Sequence, residues 1–267
     1  MIAFDASPQG SAEWLAARRG LITGSMAATA RDKLRDGRPS KSCLDYAMDT
    51  ARERLGGKAM AVFVNAAMRL GTEQEPIARQ RYETETGNLV VEVGFACTDD
   101  RKFGCSVDGL IDHDGIWECK TMVSSATLFK AVVDGEISEY RDQCLFEMWL
   151  LARQWTDLSL WCPDLSLLHT VRIHRDDDEI NRLESDMMDF ETRVGTYESR
   201  LRAKMQPAPV VAAPASAAPV SFERLFNRMA IVRTWPEASL ILDEADSLPI
   251  DQMASLLALA AQRFPKG

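Results

Sequence analysis

The chain has 267 residues, of which 46% are hydrophobic and 27% are charged, and its formal net charge at pH 7 is -9. This composition is typical of a globular protein with a sizeable core. The negative net charge excludes a protein that coats nucleic acid or an anionic membrane through bulk charge. A local basic groove remains compatible with the sequence, because residues 1–60 contain ten Lys and Arg against seven Asp and Glu.

Other bulk features favour a cytoplasmic protein without membrane segments. No run approaches 18 consecutive apolar residues, as a transmembrane helix requires. The N-terminus lacks the basic and apolar regions of a signal peptide. The six cysteines show no C-x-x-C spacing, which indicates reduced core thiols and argues against disulfides or a zinc site.

The first third of the chain is predicted to be helical. The hydrophobic spacing predicts helices near residues 11–19, 42–56, 60–69 and 72–86. Gly71 separates the last two of these, and Gly87 is expected at the C-terminal cap of the last.

The middle of the chain has the character of a sheet. Short segments rich in β-branched and aromatic residues predict strands at 88–98, 102–112, 115–123, 155–163 and 167–175. Helices are expected between and after them, at 138–153 and 176–204. This order predicts an α/β fold with a central mixed β-sheet flanked by helices.

A composition change near residue 206 predicts a domain boundary. Residues 206–220, QPAPVVAAPASAAPV, are expected to form an extended linker between a domain at 1–205 and a small helical tail at 221–267. Two tail helices are predicted, with Ser221 and Asp251 near their N-termini. Because about 47 residues are marginal for an independent core, the tail is expected to dock on its own domain, a sister subunit or a partner.

One short stretch concentrates charge on segments otherwise suited to a buried sheet. Residues 104–120 read GCSVDGLIDHDGIWECK, with turn chemistry at 112–115. A hairpin at that turn places Asp108 opposite residues 119–121. The two-residue period of a strand puts Glu118 and Lys120 on one face and Cys119 on the other.

Two carboxylates and an ammonium group on one patch of sheet must pair or bind an ion. Oxygen ligands from Asp108, Glu118 and the Cys119 carbonyl suit Mg²⁺, with Mn²⁺ as a substitute. Lys120 beside the metal suits phosphodiester hydrolysis, because it orients water or stabilises charge developing on phosphorus. The alternative is a surface Glu/Lys pair on an exposed strand, since the Glu-x-Lys triplet is common by chance.

Asp108 followed by Glu118-Cys119-Lys120 resembles the signature of the PD-(D/E)xK nuclease superfamily. More narrowly, the chain resembles the phage lambda exonuclease and YqaJ-type viral recombinase nucleases over residues 12–205. Four stretches carry this resemblance in the family's order: EWLAARRGLITGS (13–25), GTEQEP (71–76), GCSVDGL (104–110) and YRDQCLFEMWL (140–150). The resemblance implies a restriction-endonuclease-like core.

The resemblance also implies catalytic roles. Asp108 and Glu118 would be metal ligands, with the Cys119 carbonyl and Glu75 beside them. Lys120 would position water or stabilise charge. On the helix that follows, Gln143 would hold the nucleophile, and Tyr140, one turn away on the same face, would support the site.

A second set of residues is implied to bind DNA. Arg18, Ser25 and Ser106 would hold the 5′-phosphate, because an arginine with hydroxyl donors makes a suitable phosphate site. Arg35 would contact DNA in the same way.

Each of these roles has a structural alternative. Arg18 can pair with Glu13 on its helix, and Ser25 can cap the helix that follows. Glu75, beside Pro76, suits the first turn of a helix without any metal. Tyr140 can be a core residue.

The function implied by the resemblance is a Mg²⁺-dependent 5′→3′ exonuclease that digests one strand of double-stranded DNA and leaves 3′ overhangs for single-strand annealing. The family implies a ring-shaped homotrimer that encloses DNA. Residues 221–267 would either pack on that trimer or dock a partner such as the annealing protein. Two rival functions remain: a structure-specific or restriction-like endonuclease, and a catalytically silent protein that binds DNA ends.

Overall fold

The computed structural model describes residues 2–5, 7, 10–59, 66–205 and 221–265. The chain divides into two compact units, Met1–Met205 and Gln206–Gly267. The proline- and alanine-rich tract at 206–220 lies outside the described residues, as do residues 60–65 of the helix predicted at 60–69.

The described part of the first unit contains seven α-helices. They are α1 (Ala12–Arg18), α2 (Ala27–Arg31), α3 (Lys41–Arg54), α4 (Ala66–Thr86), α5 (Ser125–Leu128), α6 (Ser138–Leu151) and α7 (Asp177–Met205). A π-helical turn, Phe129–Val133, continues α5. The predicted helices at 11–19, 42–56, 138–153 and 176–204 correspond to α1, α3, α6 and α7, whereas α2 and α5 were not predicted.

The predicted break at Gly71 is wrong, because α4 runs through both Gly71 and Pro76. A glycine inside a helix costs only about 1 kcal/mol, which tertiary contacts can outweigh. Such a contact lies close by, where the indole N–H of Trp161 donates to Gln74 Oε1 at 3.1 Å. The predicted end at Gly87 is confirmed: this residue has a φ of 76°, and its N–H donates to the carbonyl of Glu83 at 2.9 Å.

Nine strands in the described residues form two mixed sheets. They are β1 (Ile2–Asp5), β2 (Ile22–Thr23), β3 (Val90–Val91), β4 (Phe95–Thr98), β5 (Phe103–Cys105), β6 (Gly109–Ile111), β7 (Gly115–Thr121), β8 (Trp155–Cys162) and β9 (Leu167–His174). The strand orders are β1-β4-β5-β2 and β3-β6-β7-β8-β9. The pairs β2–β5 and β7–β8 are parallel and the other neighbours are antiparallel. The predicted α/β class with mixed sheet and flanking helices is confirmed.

The strands predicted at 88–98 and 102–112 each break in two and pass from one sheet to the other. The second break falls at residues 106–108, where side chains take over hydrogen bonds. Ser106 Oγ accepts from the indole N–H of Trp14 at 2.9 Å, and Asp108 Oδ2 accepts from the backbone N–H of Cys119 at 2.8 Å. Local side-chain bonds of this kind compete with a β ladder. The break therefore leaves Ser106 and Asp108 between the two sheets.

Strand β7 separates two buried clusters. Ile116 belongs to the main core with residues of α6 and α7, such as Phe146. Trp117 points to the opposite face and packs with Tyr82 of α4. Cys119, two residues further along the strand, packs against that same cluster. Glu118 and Lys120 therefore share the face that α6 covers.

A buried aspartate ties α4 to the five-stranded sheet. Asp157 on β8 accepts two hydrogen bonds from Arg172 on β9, at 2.7 and 2.8 Å, and a third from the Tyr82 hydroxyl at 2.5 Å. Asp157 is 3% exposed, so this pairing satisfies a carboxylate that would otherwise be costly to bury. The contact sets the position of α4 against the sheet.

The second unit has a core of its own. Its helices are α8 (Phe222–Ile231), α9 (Trp235–Glu244) and α10 (Ile250–Arg263), which bury Leu225, Met229, Ile241 and Leu256. Only two helices were predicted, and α9 was missed. None of the helices in the described part of the chain is long and apolar enough to cross a membrane.

Candidate active site

The hairpin of β6 and β7 differs in register from the sequence prediction. Gly109 pairs with Trp117 and Ile111 with Gly115, so the strands join through a three-residue loop at 112–114. The prediction, which placed Asp108 opposite residues 119–121, treated Gly115 as a turn residue. Gly115 instead lies in β7, where a Cβ atom would meet the ring of Trp155 at 2.3 Å.

Asp108 nevertheless lies beside the predicted partners. It precedes β6, and its Oδ2 atom accepts the 2.8 Å hydrogen bond from the N–H of Cys119. Cys119 is the residue between Glu118 and Lys120. The structure therefore brings the aspartate next to the Glu-x-Lys triplet, through a loop and not through a strand pair.

Glu118, Lys120 and Gln143 form a closed set of hydrogen bonds between β7 and α6. Lys120 Nζ donates to Glu118 Oε1 at 2.7 Å and to Gln143 Oε1 at 3.0 Å. Gln143 Nε2 donates to Glu118 Oε1 at 2.6 Å. Glu118 is 2% exposed, so the surface ion pair considered as an alternative is wrong.

Glu147 is a component that sequence reasoning missed. This residue of α6 is 0% exposed, and its Oε1 atom accepts from Gln143 Nε2 at 2.9 Å. Its position four residues after Gln143, in an otherwise apolar stretch of helix, was the available signal. A lone acidic residue in an apolar helix is costly to bury and marks a buried polar contact.

Burial and neighbouring charges raise the pKa values of three carboxyl groups at this site, those of Asp108, Glu75 and Glu147. Burial, then the charges of Glu118 and Glu75, hold the pKa of Asp108 well above its ordinary value. Burial and Glu118 raise the pKa of Glu75 to about 6, and the same two causes raise the pKa of Glu147. Such shifts arise where like charges share a poorly solvated site, and they are frequent at active sites.

Lys120 has the opposite balance. Burial lowers the pKa of this ammonium group, but the carboxylates of Glu118 and Asp108 outweigh burial and keep the pKa above its ordinary value. Lys120 therefore carries a positive charge near neutral pH.

A buried carboxylate oxygen of this site, Glu118 Oε2, is not used in a hydrogen bond within the described residues. Within those residues, no three His, Cys, Asp or Glu side chains are grouped so that they could hold a metal ion by themselves. The predicted ligand set needs only two side chains, those of Asp108 and Glu118, because its third ligand is the backbone carbonyl of Cys119. The place of Glu75 beside the metal stays a prediction.

Three predicted phosphate-binding residues line one pocket of about 100 Å³. Arg18, Ser25 and Ser106 contribute to its wall, together with Asp108 and Gln143. The pocket therefore connects the predicted phosphate site with the carboxylate cluster.

Contacts within this pocket decide two of the structural alternatives. The Arg18 guanidinium lies 4.3 Å from the centre of the Trp14 ring and 3.5 Å from Thr23 Oγ1, and it forms no ion pair with Glu13 in the described part of the chain. Burial lowers the pKa of Arg18. Ser25 is exposed and does not act as the cap of α2.

A second cavity, of about 510 Å³, shares part of its wall with the first. Trp14, Ser106 and Asp108 line both cavities, whereas Glu75 and Pro76 line only the larger one. Asp108 is thus part of the wall of both cavities.

Two predicted residues lie apart from these contacts. Arg35 is on an exposed turn and lines neither cavity. Tyr140 is half-buried and packs against the main core, and burial raises its pKa. Their roles in DNA binding and in supporting the site stay predictions.

Similarity to known proteins identifies the family of this chain. The model of the YqaJ-like viral recombinase domain matches residues 13–157, and the chain belongs to this family. An alkaline exonuclease (LHK-Exo) from Laribacter hongkongensis is 33% identical, with a TM-score of 0.64, over 73% of this chain and 97% of that chain. The same exonuclease matches equally in complex with dAMP. The resemblance inferred from the motifs is confirmed.

A phage related exonuclease from Haemophilus somnus 129PT shares the fold at 15% identity, with a TM-score of 0.54, over 69% of this chain and 96% of that chain. A comparison with curated protein sequences gives no significant match. Together, family and relatives support a nuclease of the exonuclease type.

Glu75 is expected to make stability depend on pH. The pKa of Glu75 in the folded protein, about 6, lies above the ordinary 4.5, so the folded state binds this proton more tightly than the unfolded chain does. The stability that Glu75 contributes is fully present at a pH below the ordinary pKa, and it is lost as the pH rises through the pKa of the folded protein. Glu75→Gln should therefore become more stable relative to the wild type across that interval, as measured by urea denaturation in EDTA.

The control is Glu85→Gln, which removes an exposed carboxylate from the same helix. A stability difference between Glu75→Gln and the wild type that stays constant with pH would contradict the raised pKa.

Proposed function

We propose that this chain is a Mg²⁺-dependent exonuclease that digests one strand of linear double-stranded DNA from its 5′ end and leaves a 3′ overhang for single-strand annealing. The observation that carries the proposal is that the candidate metal site and the candidate phosphate site lie side by side. A cluster of carboxylates around Lys120 adjoins a pocket lined by Arg18, Ser25 and Ser106.

The donor set fits a hard divalent cation. Asp108, Glu118 and the Cys119 carbonyl would hold Mg²⁺, or Mn²⁺ in its place, with Glu75 nearby. Two observations support the fit: the buried Glu118 Oε2 atom without a partner among the described residues, and the raised pKa values of Asp108 and Glu75, which result from burial and from the nearby charge of Glu118. When bound, the ion supplies Lewis acidity for phosphodiester hydrolysis.

The side chains around this site have distinct tasks. Lys120 is held in its charged form, so its ammonium group stabilises negative charge that develops on the scissile phosphate and does not act as a base. Gln143 presents its amide oxygen to Lys120 and its amide nitrogen to Glu118, which keeps all three groups in place. Tyr140, one turn earlier on α6, supports this face of the helix.

The smaller pocket suits a terminal phosphate. Its volume of about 100 Å³ admits a group of that size, and its wall offers a guanidinium and two hydroxyl donors. The larger cavity has room for the rest of a nucleotide. The exonuclease relative has been solved in complex with dAMP, which supports a nucleotide site in this chain. A phosphate held at the 5′ end would define the 5′→3′ direction.

We also propose that the protein forms a homotrimer. A homotrimeric ring would enclose duplex DNA, with Arg35 and the basic N-terminal segment facing phosphates, so that an acidic chain need not bind DNA through its outer surface. The C-terminal unit, residues 221–265 as described, has its own small core and would dock the annealing protein or the trimer.

The main test compares linear and closed-circular duplex in Mg²⁺ and in EDTA. The wild type should degrade the linear duplex, spare the circle and stop in EDTA. Asp108→Ala and Lys120→Ala should each lose activity by about 10²-fold or more, because each removes a group aimed at the reacting phosphate. Lys204→Ala, at the exposed end of α7, is the matched control.

Cleavage of the circle would favour an endonuclease. Full activity of the Lys120→Ala variant on linear DNA would contradict the site, and a wild type that binds ends without cleaving would favour the end-binding protein.

The phosphate pocket predicts a preference for 5′-phosphorylated ends. Arg18→Met removes the guanidinium but keeps most of the apolar contact with Trp14, so it should slow digestion of phosphorylated ends while changing 5′-hydroxyl ends much less. Arg19→Met, at the exposed neighbouring position, should keep the preference of the wild type. Initial rates on the two kinds of end measure the effect. Equal rates for the wild type on both would contradict this use of the pocket.

A further inference from the structure

Glu147 is a buried acid to which the roles above assign no task. Its side chain lies in the interior of the first unit, between apolar neighbours on α6 such as Phe146 and Met148. One oxygen, Oε1, accepts the 2.9 Å hydrogen bond from Gln143, and the other has no partner among the described residues. An apolar residue would be less costly here if packing were the only requirement.

The contact with Gln143 fixes an orientation. The two ends of a glutamine amide have nearly the same shape, so only hydrogen bonds distinguish oxygen from nitrogen. Here the amide nitrogen lies 2.6 Å from Glu118 Oε1 and 2.9 Å from Glu147 Oε1, and the amide oxygen lies 3.0 Å from Lys120 Nζ. A flipped amide would turn its oxygen toward two acceptors and its N–H groups toward an ammonium donor.

Of the two carboxylates that accept from the Gln143 amide, Glu147 is the one without a proposed part in the reaction. Glu118 Oε1 already accepts from Lys120, and Glu118 is a proposed metal ligand, whereas Glu147 touches Gln143 from the core side. Packing confines this side chain. A Cβ atom on Gly24 would lie 3.1 Å from the Phe146 ring and 3.6 Å from Glu147 Cγ, so the glycine allows the close approach of α6.

We propose that Glu147 is a positioning residue: it accepts one amide hydrogen of Gln143 and thereby holds the amide oxygen of Gln143 toward Lys120. The inference rests on the proposed nuclease function for its kinetic consequence, but the hydrogen bond itself can be observed without catalysis. Through Gln143, Glu147 sets the place of the Lys120 ammonium group without touching the substrate.

The kinetic test compares variants that keep or remove the acceptor. Glu147→Met keeps the length of the side chain and removes the acceptor, and Glu147→Leu is a second apolar variant in case the first does not fold. Either should lower kcat by about tenfold, the order expected for one lost positioning contact, and leave KM for linear duplex within about twofold. Glu147→Gln keeps an oxygen acceptor and should retain kcat within about twofold of the wild type.

Met148→Leu controls for disturbance of the core, because Met148 is the next buried residue of the helix and is not among the hydrogen-bond partners of the Gln143 amide. It should leave kcat unchanged. An apolar variant with the kcat of the wild type would overturn the inference, as would a Glu147→Gln variant as slow as the apolar ones.

A double variant shows whether the effect passes through Gln143. In the Gln143→Ala background there is no amide to orient, so adding Glu147→Met should change kcat by less than about twofold. A further tenfold loss in that background would mean that Glu147 acts independently of Gln143, and the positioning role would be wrong.

A readout without catalysis separates the two proposals. In protein labelled with ¹⁵N at glutamine, the side-chain amide of Gln143, assigned from its loss in Gln143→Ala, should exchange its protons slowly in the wild type and in Glu147→Gln, and faster in Glu147→Met. Equal exchange in all three would overturn the positioning role. An inactive wild type with this exchange pattern would remove the proposed function and leave the contact standing.

Discussion

The arrangement of the site depends on one constraint: four carboxyl groups lie near a single ammonium group in a partly buried site. Glu118 accepts a hydrogen bond from Lys120, and Asp108, Glu75 and Glu147 lie close enough for electrostatic interaction with the same ammonium group. Burial, and then the charge of Glu118, raise the pKa values of Asp108, Glu75 and Glu147. One positive charge cannot balance so many acids. A site of this kind is stable when some of them are protonated or when a divalent cation joins, and the second condition suits phosphodiester chemistry.

The fold creates this crowding by placing helices on both faces of the five-stranded sheet. Residues of β7 alternate between the two faces, so Trp117 and Cys119 contribute to the packing under α4 while Glu118 and Lys120 meet α6. Two contacts hold α4 against the sheet: the hydrogen bond from the Trp161 indole to Gln74, the neighbour of Glu75, and the bonds of Asp157 with Tyr82. The helix that carries Glu75 is thus fixed by contacts outside the site. On the other face, Gly24 packs closely against Phe146 and Glu147 of α6.

The sequence was sufficient for the class of fold and for the shared face of Glu118 and Lys120, because strand periodicity and turn residues act locally. Glu118 and Lys120 share a face as the two-residue period required, and the helix end at Gly87 followed from glycine's tolerance of positive φ. The hairpin register was wrong because Gly115 serves the packing of Trp155, a contact 40 residues away that no local pattern shows. The crossing of two strands between sheets was missed for the same reason.

Glu147 escaped prediction because helix periodicity marks its position as core, and only the neighbouring Gln143 explains an acid there. In the second unit, the missed helix α9 did have a local signal, the capping box of Thr234 and Glu237 with a proline between them. The central claim, that Asp108 and Glu118 hold a hard cation, is tested most directly by Mn²⁺ binding followed by electron paramagnetic resonance. One ion per chain is expected to bind to the wild type and to Asp45→Asn, a surface control, and not to Asp108→Asn. Equal binding by all three would contradict the account.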